Sequence, residues 1–359
     1  MINNLDDQKV YKKLDFGKVA KSIESLPSQM KQVLKQADLI KIPPDYSQVA
    51  QVVVNGMGGS NIGVGMIGAA LSDQIKVPII ITAGYEVPAS VNENTLYLLS
   101  SYSGNTEEVL SVYLEAKKRG AKVMAICEQG ENKLARLMKD ENIPGFTFKS
   151  DHNLSGQPRM GLGYSVLGVA MLLARVGLLE IKAQEMEKII VNLEAWGEEL
   201  SPDKSAKTNR AKQIALELYN KIPVIVGAEF LVGNLKILRN QFNETSKNFA
   251  SFLELPDMNH FALEGLAKPV SNKDNLTFFF IDSSLYHPRI IKRSTLTKQI
   301  VQKNKIKYID HKLSGASKLE QAFNMLQFGA WATYYLAMLN NVNPVKIPWV
   351  EWFKKELEN

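Results

Sequence analysis

Twice in this chain an apolar run ends in a turn of glycine and serine that opens directly into a helix pattern, and no other feature restricts the fold as tightly. The first run is Val52-Val53-Val54, leading into Asn55-Gly56-Met57-Gly58-Gly59-Ser60 and an apolar helix that reaches Leu71. The second is Leu96 to Ser100, leading into Ser101-Tyr102-Ser103-Gly104-Asn105-Thr106 and a helix through Arg119. An apolar run without polar alternation marks a strand buried on both faces, as in a parallel sheet covered by helices. Val77 to Ile81 and Val123 to Ile126 read as further strands. A helix from Leu134 to Lys139 follows, and Gly161 to Leu179 is a long apolar helix suited to burial between layers.

From Ser201-Pro202-Asp203 the same order begins again. A helix from Ala206 to Tyr219 leads to Val224-Ile225-Val226 and a glycine turn at Gly227. Thr277 to Ile281 and Lys307 to Ile309 are strands with a helix between them, and Ala322 to Leu339 repeats the long apolar helix. Ahead of all this, Val19, Ile23, Leu26, Met30 and Leu34 recur at helical spacing, with Pro27 as a possible break and Pro43-Pro44 as the end. The expected architecture is α/β: two tandem doubly wound parallel-sheet domains of flavodoxin-like type behind a helical N-terminal arm. The expected spans are 1–45 for the arm, 46–200 for the first domain and 201–359 for the second. A chain of 359 residues has room for two such cores.

Charge and cysteine content narrow the function classes. The net charge of +6 is spread along the chain, where a nucleic-acid binder would gather its basic residues on one element. No apolar stretch is long enough for a membrane span, residues 1–13 do not resemble a signal peptide, and Cys127 is the single cysteine. A cytoplasmic protein is expected, without nucleic-acid or membrane partners. The four histidines, His152, His260, His287 and His311, show no ligand spacing, so no metal and no cofactor are expected.

The two glycine–serine turns suit an anion. A helix N-terminus presents unpaired N–H groups and the positive end of its dipole. The hydroxyls of Ser101, Ser103 and Thr106 lie at spacings that a tight turn brings together, and Gly104 permits close backbone approach. Taken alone, Thr106 is equally an N-cap with Glu107 and Glu108 behind it. Gly56, Gly58 and Gly63 begin like a dinucleotide fingerprint, but Ser60-Asn61 breaks its spacing.

With these residues in view, the chain resembles the sugar isomerase domain family, whose phosphosugar sites carry a Ser-x-Ser-Gly-x-Thr turn. More narrowly it is similar to the bifunctional phosphoglucose/phosphomannose isomerases. The further matches are Gly56-Met57-Gly58-Gly59-Ser60, Pro158-Arg159-Met160-Gly161, Asn243-Glu244, Asn259-His260 and Phe353-Lys354.

The resemblance implies an aldose–ketose isomerase that passes through an enediolate, with a place in glycolysis or gluconeogenesis. It implies a sugar phosphate held by Gly59, Ser60, Ser101, Ser103 and Thr106. Glu244 would move the proton, Arg159 would stabilise the oxyanion, and His260 would open the sugar ring with help from Lys354. Lys355 is the neighbouring alternative to Lys354. The resemblance also implies a homodimer in which His260 reaches the neighbouring chain's Glu244.

Two other readings stay open at this point. One is a pentose- or aminosugar-phosphate enzyme on the same scaffold, although Ile2 stands where the related amidotransferases have a nucleophilic cysteine. The other is a non-catalytic phosphosugar sensor.

Overall fold

The structure is a computed structural model that describes residues 4–357. Three helices lead the chain: α1 (Gln8–Leu14), α2 (Val19–Glu24) and α3 (Leu26–Ala37). The break falls at Ser25, and Pro27 lies in the first turn of α3, where its missing N–H costs no helical bond.

The first sheet comes next. β1 (Gln51–Gly56), α4 (Gly59–Ala70), β2 (Ile79–Thr82) and β3 (Thr95–Ser100) precede two short helices, α5 (Glu107–Ser111) and α6 (Tyr113–Lys118). β4 (Lys122–Glu128), α7 (Lys133–Asp140) and β5 (Gly145–Phe148) complete it, and α8 (Leu162–Arg175) and α9 (Ala183–Glu199) follow. The strands are parallel in the order β2-β1-β3-β4-β5.

Alternation within the strands explains their unbroken apolar character. Val52, Val54, Leu96, Leu98, Met124 and Ile126 enter one core. Val53, Tyr97, Leu99, Val123 and Ala125 enter another on the opposite face, against Val109, Val112 and Leu134 from the covering helices. Both faces are buried, so neither set of positions can be polar.

The second half holds α10 (Arg210–Leu218), β6 (Ile222–Ala228), α11 (Val232–Glu244), β7 (Ser251–Leu255) and α12 (Asn272–Asn275). β8 (Leu276–Asp282), α13 (Pro288–Lys303), β9 (Lys307–Lys312), α14 (Lys318–Leu339) and α15 (Pro348–Leu357) follow. Its strands are parallel in the order β7-β6-β8-β9, repeating the first sheet without a fifth strand.

Several boundaries differ from those read in the sequence. β2 starts at Ile79 because Pro78 has no N–H for the ladder, and its carbonyl instead accepts from Val52. α10 starts at Arg210, where Asn209 caps it by accepting from the Lys212 amide. The helix expected through Arg119 breaks at Val112 into α5 and α6. β5, β7 and α9 were not expected.

The two halves are not beads on a string. α4 crosses α11 so closely that a Cβ on Gly233 would fall 2.4 Å from the Gly65 carbonyl carbon. One apolar core runs from the N-terminal arm through both sheets. α14 threads its centre, with every residue from Leu319 to Leu339 buried. Buried Lys212 ties the arm down, donating to the carbonyls of Leu5, Pro202 and Lys204. Among the described residues no helix is long and apolar enough to cross a membrane.

Candidate active site

In a sheet of this order the chain leaves β1 and β3 toward opposite sides, which opens a crevice beyond their carboxyl ends. Both glycine–serine turns lie there and are locked together. The Ser60 hydroxyl accepts from the Tyr102 amide at 2.8 Å, and the Ser100 hydroxyl donates to the Ser60 carbonyl at 3.0 Å.

Within the second turn, the hydroxyls of Ser101 and Thr106 bond each other at 2.7 Å. Thr106 stands before α5, yet its side chain makes no capping bond to that helix. The convergence of hydroxyls, rather than a helix cap, is therefore what shapes the turn. Ser103 is exposed at its tip, and its oxygen accepts from the Asn105 amide. Gly104 has φ 66°, and a Cβ there would lie 1.8 Å from Asn132 Oδ1, so only glycine fits. Gly59, on the facing turn, abuts Leu162 and the Pro158 carbonyl, which brings the crevice against the 3-10 turn Pro158–Met160.

The equivalent place in the second sheet, beyond β6 and β8, is closed by the protein itself. Glu229 directly follows β6, and both of its carboxylate oxygens accept from the His287 amide, at 3.3 and 3.2 Å. Tyr286 fills the rest, its hydroxyl accepting from the Ala228 amide and donating to the Ile281 carbonyl. The glycine turn expected at Gly227 is not formed: Gly227 lies within β6, paired with Glu254 of β7, and the chain turns only at Glu229.

Arg159 is held in the Pro158–Met160 turn with little exposure (9%), so its charge is largely desolvated. One terminal nitrogen donates to Gln157 Oε1 at 2.9 Å, and the other to the carbonyls of Pro344 and Val345 at 2.7 and 2.6 Å. Its Nε has no protein acceptor, and it borders a cavity of about 20 Å³ that Gln241 and Gln327 also line.

Glu244 ends α11 close by. Burial pushes its carboxyl above the ordinary value, while the charges of Arg159, Lys247 and Lys354 pull it back down. Lys354, on the last helix, is one of the cations that act on Glu244. Lys247 is a site residue that the sequence did not reveal. Although the residue as a whole is exposed, desolvation of its amine and the adjacent Arg159 lower that amine to about 8, opposed by Glu244.

The structure thus brings together Arg159, Glu244, Lys247 and Lys354 beside the Gly59 turn. His260 is not among the charges acting on Glu244. It ends the 3-10 turn Asp257–His260 beyond β7 and is exposed, with Phe261 exposed beside it. Among the described residues no three His, Cys, Asp or Glu side chains are grouped as metal ligands would be.

The bacterial phospho-glucose isomerase C-terminal SIS domain family matches residues 207–357, and the SIS domain family matches residues 45–143. A bifunctional phosphoglucose/phosphomannose isomerase of Caldicellulosiruptor bescii is 30% identical over 340 residues, covering 94% of this chain and 98% of that protein. One from Aquifex aeolicus is 30% identical over 322 residues, covering 88% of this chain and 93% of its own. Among solved structures, a hypothetical protein from Thermus thermophilus superposes with a TM-score of 0.74 at 16% identity. That match covers 98% of this chain and 92% of the other, and at such identity it speaks for the fold alone.

Proposed function

The chain belongs to the bifunctional phosphoglucose/phosphomannose isomerase family, and on that premise we propose that it interconverts glucose 6-phosphate and fructose 6-phosphate, with mannose 6-phosphate as a second aldose. It is an aldose–ketose isomerase of sugar phosphates. The observation that carries the finer reading is a half-buried carboxylate acted on by three cations, one of which, Arg159, lies in the turn that abuts Gly59.

The phosphate enters the β1/β3 crevice, where Ser101, Ser103 and Thr106 donate to its oxygens opposite Gly59 and Ser60. The sugar then runs past Pro158 toward Arg159 and Glu244. Glu244 takes the proton from C2 of the aldose, and the C–H electron pair becomes the C1–C2 double bond of the enediolate as the carbonyl π pair moves onto oxygen. A proton passes from the C2 hydroxyl to the C1 oxygen, and the same carboxyl returns the carbon-bound proton to C1 as the C2–O electron pair forms the carbonyl of the ketose. Arg159 stabilises the charge that develops on oxygen, and its desolvated setting strengthens that effect. Return of the proton to either face of C2 gives glucose or mannose 6-phosphate. His260 moves the proton that opens the ring, assisted by Lys354.

The enzyme works as a cytoplasmic homodimer in which His260 comes from a second copy. Exposed apolar side chains support this reading: Phe261 beside His260, and Trp349, Trp352 and Phe353 on α15, which carries Lys354. The test of the substrate is a coupled assay on purified protein with a chelator present. Fructose 6-phosphate should form from both aldoses. Turnover of pentose or aminosugar phosphates but not glucose 6-phosphate would overturn the assignment.

A further inference from the structure

Lys247 lies three residues beyond Glu244, in left-handed backbone at φ 52°, which turns the chain back on itself directly after α11. Its amine donates to the Asn343 carbonyl at 2.8 Å and, more weakly, to the Thr245 carbonyl at 3.3 Å. The next two carbonyls along the chain, those of Pro344 and Val345, are the ones that accept from Arg159. Three successive carbonyls are therefore gripped by two cations from distant parts of the sequence.

The same strip is fixed from other sides. Asn343 Oδ1 accepts from the Val345 amide, and Asn340 donates to the Ser246 carbonyl, one residue before Lys247. Val345 fills the space that a side chain on Gly17 would need. Two residues past Lys346, α15 begins and carries Lys354 toward Glu244. α15 itself has no buried residue, and the strip leads directly into its first turn.

We propose that Lys247 is a positioning residue of the site: with Arg159 it clamps the carbonyls of Asn343, Pro344 and Val345, and this clamp sets both Arg159 and α15 against Glu244. A carbonyl accepts strongly from a cation, and two cations sharing one strip lie closer than their repulsion alone would allow. The charged groups facing Lys247 are Glu244 on α11 and Arg159 on the Pro158–Met160 turn. Lys354 on α15 acts on Glu244 in its turn, and Glu351 on Arg159. Removing Lys247 takes away one charge that lowers the Glu244 carboxyl, so that carboxyl must rise. The catalytic part of this inference rests on Glu244 being the base; the clamp does not.

The test compares Lys247→Met and Lys247→Arg in the full chain. Hydrogen exchange across 343–357 is read without substrate, and the pH profile of kcat/KM is read with fructose 6-phosphate. Lys247→Met should speed exchange through α15, move the acid limb to higher pH and lower turnover roughly 10- to 100-fold. Lys247→Arg, which keeps the charge and a donor, should restore all three toward wild type. Should Lys247→Met melt too low to assay, Lys247→Gln keeps a donor without charge and should still move the acid limb. Wild-type exchange in Lys247→Met overturns the clamp, and an unmoved acid limb overturns its link to Glu244. A wild-type chain that turns over no hexose phosphate, while exchange still rises in the variant, sinks the proposed substrate and leaves the clamp standing.

Discussion

At the scale of single residues, the site is a contest over one carboxylate. Desolvation raises Glu244 and three cations lower it, with desolvation the larger effect. The base must be ionised to take a proton, so activity should fall with pH through a limb above the ordinary glutamate value of about 4.3. A kcat/KM profile of the wild-type chain checks this. Glu244→Gln keeps the shape and removes the base. It should cost turnover roughly 10²- to 10⁴-fold or more while calorimetry shows sugar-phosphate binding nearly intact. Near-normal turnover in that variant would remove Glu244 from the role. Arg159, Glu244 and Lys354 were legible because each falls in a short motif of the resembled family. Lys247 was not, because between Ser246 and Asn248 a lysine reads as a solvated turn. Only the left-handed backbone at this position and the strip from Asn343 to Val345 give its amine fixed partners, while the residue itself stays exposed.

Among the elements, the interior strands were the most legible, although the little-buried edge strands β2 and β9 were read as well. β1, β3 and β4 are interior strands with both faces covered, so their apolar runs stand out in one dimension. β5 and β7 are edge strands with one neighbour each. Gly145-Phe146-Thr147-Phe148 is too short to show a period, and four of the five residues of Ser251–Leu255 are only half-buried. Their strand character comes from pairing with β4 and β6, which a local reading does not see. The turn after β3 was legible in composition, but not in how its hydroxyls pair. Because Thr106 bonds Ser101 rather than capping α5, its loss should be felt by ligand more than by helix. Replacing Ser103 and Thr106 together by Ala should weaken fructose 6-phosphate binding, each lost bond to the phosphate costing about 1.5–3 kcal/mol. Unchanged affinity by calorimetry would reduce the turn to a structural role.

For the whole molecule, the proposed sharing of the site between two chains has a direct test. Inactive Glu244→Gln chains are refolded together with inactive His260→Ala chains. Each mixed dimer then unites an intact Glu244 from one chain with an intact His260 from the other. If chains pair at random as a two-fold dimer, activity should return to roughly a quarter of wild type. Mixed dimers that form and stay dead would place both residues in one chain's site. The backbone approach at Gly65 and Gly233, inside a core common to both sheets, bears on how such a site is sealed. An enediolate has to be kept from bulk water, and many enzymes do so by swinging one lobe over the other. Here the lobes are joined along that helix crossing by a shared core, which leaves little room for one to swing over the other. A cover for the bowl would then come from something laid on top: the terminal helix or, in the proposed dimer, the flank of a second molecule.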